Sequence, residues 1–199
     1  MLRAMVTSPA PIDIPPSFAV HDPAAARSRG GLAEMPTIVA TGPFDDLSHA
    51  EQIAEAFTLV RQCQTAQLVL LGTGRRRTAV FRRTFALGVG ADVHLIRAIP
   101  ASRWSEMVAA ADVVVPSVAS QRAQLLDVLA VGRPVVAPVN PATVSLVLPT
   151  SAGLIYQAGD VSALAAALLR ILSSPALQYG MACRAAEVAR RDPLTMRMQ

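Results

Sequence analysis

Residues 107–138, MVAAADVVVPSVASQRAQLLDVLAVGRPVVAP, constrain the fold more than any other stretch of the chain. Val113-Val114-Val115 is a β-branched run that stops at Pro116-Ser117, the form of a strand buried on both faces. From Gln121 to Val131, Leu125, Leu126, Val128 and Leu129 recur at helical spacing. Gly132 then ends the helix, and Pro134-Val135-Val136 opens a second buried strand. Strand, helix and strand within some thirty residues make a parallel crossover unit, and crossovers of this kind are right-handed.

The same alternation runs through the chain from Thr37. Strands are expected at Thr37 to Thr41, Gln67 to Leu71, Val93 to Ile99 and Gly153 to Tyr156, in addition to the central pair. Helices are expected around His49 to Cys63, Arg75 to Leu87, Trp104 to Ala111 and Pro175 to Arg191, with another capped by Asp160. The reading is α/β: one Rossmann-like domain over 37–191, a six-stranded parallel sheet of order 3-2-1-4-5-6 with helices on both faces. Residues 1–36 carry six prolines and no helical period, so they read as a linker that packs poorly on the domain; 192–199 read as a tail.

Composition narrows the function. A chain of 199 residues that is 52% hydrophobic can bury a sizeable core, and no apolar run reaches the ~20 residues of a membrane span. The N-terminus has no secretory signal pattern, and Cys63 and Cys183 have no redox or metal spacing, so a cytoplasmic protein with reduced thiols is expected. All 18 basic residues are arginine, yet they lie on several helices without interleaved aromatics, which argues against nucleic-acid binding. His21, His49 and His94 do not cluster with other metal ligands, and no nucleophile elbow, paired carboxylate or Walker loop occurs. No metal site, cofactor or catalytic residue is assigned.

In an open parallel sheet a ligand binds beyond the carboxyl ends of the strands. Gly42, Gly72 and Gly74 fall in two such loops, and Arg75-Arg76-Arg77 follow at a helix start, where cations oppose the helix dipole unless an anion is bound. Two glycines also suit any tight turn, and the arginines equally suit a solvated cluster. Ser117, Ser120 and Asp127 complete the candidates, Asp127 lying between the small residues Ala123 and Ala130.

The central stretch resembles the donor-binding half of GT-B retaining glycosyltransferases, which write it roughly as aDv-v-PS-x-x-E-G-F-G-x-x-x-x-E-A-M-A-x-G-x-PVV. Asp112-Val113, Pro116-Ser117, Ala130-x-Gly132 and Pro134-Val135-Val136 match, and residues 152–160 resemble the family's tG-L-L-v-x-pGD. Residues 6–13 resemble the hinge between the family's two Rossmann halves. Asp127 falls at the second glutamate, which in the family holds the ribose hydroxyls; Ala119, Ser120 and Gln121 stand where the first is expected. In the family's G-R-L-x-x-x-K-G loop the arginine and lysine become Pro43 and Ser48, and the following glycine becomes His49. The resemblance implies a transferase that binds a UDP-, GDP- or ADP-linked nucleotide-sugar as substrate and is inactive without an acceptor-binding half. That half would be a separate partner domain, with a homo-oligomer as the other expected use of the exposed face. The degenerate motifs leave an alternative, a pseudoenzyme that serves as a scaffold or interaction subunit.

Overall fold

The computed structural model describes residues 22–97 and 100–191. Six parallel strands form one sheet: β1 (Thr37–Thr41), β2 (Gln67–Leu71), β3 (Val93–Ile96), β4 (Val113–Val115), β5 (Val135–Pro138) and β6 (Gly153–Tyr156), in the order β3-β2-β1-β4-β5-β6. Every residue of β1, β2, β4 and β5 is buried, as a sheet covered on both sides requires. Val39 pairs with Val69 on one side and Val114 on the other, which puts β1 at the centre.

Side chains alternate between two cores. Ile38, Ala40, Val113 and Val115 face α2 (Leu47–Cys63) and α7 (Val161–Leu172), while Val39 and Val114 face α4 (Ala101–Ala109), α5 (Arg122–Ala130) and α8 (Pro175–Arg191). The remaining helices are α1 (Pro23–Gly30), α3 (Arg77–Ala86) and α6 (Pro141–Leu146). The six strands and their order are those the sequence implied. The third is shorter than its expected span, ending at Ile96, and Ala98 and Ile99 lie outside the described residues.

Two readings need correction. The stretch read as linker holds α1, because Asp22 caps Ala24 N–H at 3.0 Å, Pro23 opens the first turn and Gly31 closes it at φ 68°. Nor are its described residues, 22–36, poorly packed. Arg27, 8% exposed, donates through Nη1 to Asp112 Oδ2 at 3.1 Å and through Nη2 to Glu34 Oε1 at 2.8 Å. The expected hinge at 6–13 and the tail at 192–199 lie outside the described residues. After β5 the chain forms a short helix, α6, with Asn140 and Thr143 capping one another.

Candidate functional site

Strand order reverses at β1: β2 and β3 are added on one side, β4 to β6 on the other. Beyond the carboxyl ends of β1, β2 and β3 lies a crevice of about 420 Å³. Its floor is Gly42, Pro43, Leu71, Gly72 and Thr73; its walls are Arg97 from the end of β3, Trp104 from α4 and Gln124 from the first turn of α5.

The glycines fit the two floor loops together. A Cβ on Gly74, at φ 137°, would stand 2.3 Å from the Phe44 nitrogen, and one on Gly72, at φ 133°, would stand 3.1 Å from the Gly42 nitrogen. Backbone bonds close the contact: Phe44 N–H donates to Thr73 O at 2.9 Å and Arg76 N–H to Phe44 O at 2.9 Å. Gly42 and Gly72 therefore open on the crevice, whereas Gly74 serves the packing of one loop on the other.

The start of α3 is already occupied by an anion of the chain itself. Arg75 N–H donates to Asp45 Oδ1 at 2.9 Å, and the Arg75 guanidinium Nε lies 3.7 Å from the same oxygen with its side chain 91% exposed. The dipole conflict of the arginine run is thus relieved by a carboxylate from the β1–α2 loop. Arg77 turns back through Nη1 to Gly72 O at 3.4 Å.

Ser117, 3% exposed, donates to Pro43 O at 3.0 Å and accepts from Ala119 N–H at 3.3 Å, so it braces the loop after β4 against the crevice floor. Ser120 is buried and donates its N–H to Ser117 O. Asp127 lies on the exposed side of α5, where partial burial raises its carboxyl above the usual range. It is three residues beyond Gln124, on the same helix face as that crevice wall. His49 is 5% exposed at the start of α2, beside Gln52 and the Pro116 carbonyl; burial lowers its pKa, and neither ring nitrogen closes a hydrogen bond. No group of three or more metal-ligating side chains occurs among the described residues.

A family model described as glycosyl transferases group 1 matches residues 35–174. The chain belongs to that family. Solved structures agree on the GT-B fold. Sucrose-phosphate synthase from Thermosynechococcus elongatus superposes with a TM-score of 0.71 at 23% identity, over 88% of this chain and 47% of its own. Anabaena HepE, solved with UDP and glucose, gives 0.75 at 17% identity, over 93% and 52%. The C-terminal domain of the Francisella tularensis group 1 protein LpcC gives 0.75 at 15% identity, over 85% of this chain and 91% of that domain. No curated protein matches the sequence. The chain spans about half the length of the first two enzymes.

The crevice of this group 1 family member differs from the donor site that the resemblance implied. Pro43 and Ser48 stand in the basic positions of the family loop, while Arg97 brings a cation from the end of β3. The sequence did not single out Arg97, Thr73, Trp104 or Gln124 as site residues. Their common signal was position alone, at strand ends or in the helices that follow.

Proposed function

We propose that this chain binds the nucleotide-sugar donor of a glycosyltransferase and acts together with an acceptor-binding domain. The observation that carries the reading is the crevice at the strand-order reversal of a group 1 family member. In this reading Trp104 and Arg97 hold the base, and Gln124 and Asp127 accept the ribose hydroxyls. The loops at Gly42, Gly72 and Thr73 receive the diphosphate, with Ser117 and Ser120 fixing the loop above them. Gly74 and Arg75 support the phosphate loop through Phe44 and Asp45. Leu47, Val139, Val144 and Leu148, 36–53% exposed, lie at the strand-end side of the sheet and suit a facing domain. Transfer needs that domain, because a donor bound to one wall of a cleft has no positioned acceptor.

Trp104 is the one tryptophan of the chain, so its fluorescence reports the crevice directly. Titration with UDP, GDP and ADP is expected to give saturable quenching by at least one of them. Fluorescence unchanged up to millimolar nucleotide would overturn the reading and leave the scaffold alternative.

A further inference from the structure

The side chains that line the crevice offer a ligand hydrogen-bond donors. Arg97 is exposed at the end of β3 and makes no hydrogen bond or ion pair among the described residues. A guanidinium carries five N–H donors in a planar fork and has no acceptor. Trp104, half-buried, packs against the core of Val39, Met107 and Leu125, and its indole also only donates. Gln124 Oε1 already accepts from Gln121 N–H at 2.9 Å, which leaves the amide nitrogen as the free group. The Thr73 hydroxyl is the remaining polar side chain, and among the described residues no carboxylate lines the crevice. β3 is the edge strand, two strand spacings or roughly 10 Å from β1. Arg97 and Trp104 therefore stand at the base end of a nucleotide whose diphosphate lies at Gly42, beyond β1.

We propose that Arg97 makes the crevice selective for guanine, so that the sugar brought to this chain is linked to guanosine diphosphate. The inference rests on the donor-binding reading above and adds the identity of the base to it. Guanine presents O6 and N7 as adjacent acceptors, which a guanidinium fork meets as a bidentate pair. Adenine sets its N6 amino group beside N7, so one arm of the fork faces another N–H. In uracil an N–H separates the two carbonyl oxygens, and the fork finds a single acceptor. Trp104 supplies a stacking face that any base can use, so the choice falls to Arg97.

Calorimetry of the full chain with GDP, UDP, ADP and 7-deaza-GDP, in which carbon replaces N7, tests it. GDP is expected to bind more tightly than UDP or ADP by a factor on the order of five to a hundred, the worth of one bidentate pair. 7-Deaza-GDP should bind more weakly than GDP. Arg97→Met should lower GDP affinity by the same factor, leave UDP and ADP little changed, and bring 7-deaza-GDP level with GDP. Arg97→Lys keeps the charge without the fork and should lose the preference as well. Arg97 is exposed, and melting curves of each variant establish that the fold is kept. An equal loss for all three natural nucleotides in Arg97→Met would put the guanidinium on the diphosphate and overturn the proposal. So would UDP or ADP binding the wild type as tightly as GDP, or 7-deaza-GDP matching GDP there. Those results leave the donor-binding reading standing, whereas no binding by any nucleotide would overturn both.

Discussion

Replacing Asp112 by alanine tests how the described N-terminal segment is held. Its Oδ2 accepts from Thr37 N–H at 2.7 Å and from Arg27 Nη1 at 3.1 Å, and its Oδ1 accepts from Gln178 Nε2 at 2.9 Å. One carboxylate therefore joins α1, the start of β1 and α8 at the amino end of β4. Thr37 is 0% exposed, so its N–H would be left without a partner, at about 1–3 kcal/mol. Arg27, 9% exposed at its side chain, would keep Glu34, itself 63% exposed, and the Ala110 carbonyl at 3.2 Å from Nη1, with no charge partner out of water. Breaking a buried pair from one side costs about 3–5 kcal/mol, which already includes much of the lost hydrogen bonding. Burial pushes the neighbouring Arg133 down to about 10, and the Asp112 charge opposes that shift, so a second guanidinium also loses support. We expect Asp112→Ala to cost about 4 kcal/mol, a large share of the 5–15 kcal/mol typical of a domain. Urea unfolding should show the midpoint falling by about 2 M at unchanged slope. Hydrogen exchange should show the amides of residues 24–30 losing protection in the variant. A cost below about 1 kcal/mol, no greater than that of alanine at the exposed Glu106, would refute the reasoning.

Gly74→Ala should destabilise by about 1–3 kcal/mol or more, since its Cβ would overlap Phe44 backbone at a positive φ; an unchanged melting temperature would count against the loop-packing role. Asp45→Asn removes the carboxylate at the α3 start and should tighten nucleoside diphosphate binding about two- to five-fold, measured by Trp104 quenching; weaker binding would contradict the competing-anion account. Burial lowers the His49 pKa below 6.5, so the unfolded chain takes up this proton first as pH falls. Its contribution to stability is complete above about 6.5 and is lost as pH drops toward the folded-state pKa. His49→Gln should flatten the stability profile over that window, and an identical profile in the variant would rule out this source.

The sheet was legible because its strands are short β-branched or aliphatic runs ended by glycine or proline, and Val113–Val115 could be little else. α1 was missed because Ala24, Ala25 and Ala26 give no apolar stripe. Its helix signals were present in Asp22-Pro23 and Gly31, but what holds it is the distant Arg27–Asp112 pair. The helix read as starting at Arg75 begins at Arg77, since Arg75 and Arg76 give their N–H groups to Asp45 and Phe44 from another loop. At the site, motif spacing found Gly42 and Gly72 on the crevice floor, yet it could not reveal that Gly74 and Ser117 face other protein loops. Arg97, Trp104 and Gln124 converge through topology, which no local pattern records.

The most direct test of the donor-binding account is calorimetric titration of UDP, GDP and ADP against the wild type, Asp127→Ala and Arg97→Ala. One nucleotide should bind the wild type with Kd in the range of tens of micromolar to millimolar, about −4 to −6 kcal/mol. Each substitution removes a charge-assisted contact of about 1.5–3 kcal/mol, so both variants should weaken binding about ten-fold or more. Absence of heat with all three nucleotides at millimolar concentration, or equal affinity in all three proteins, would contradict it.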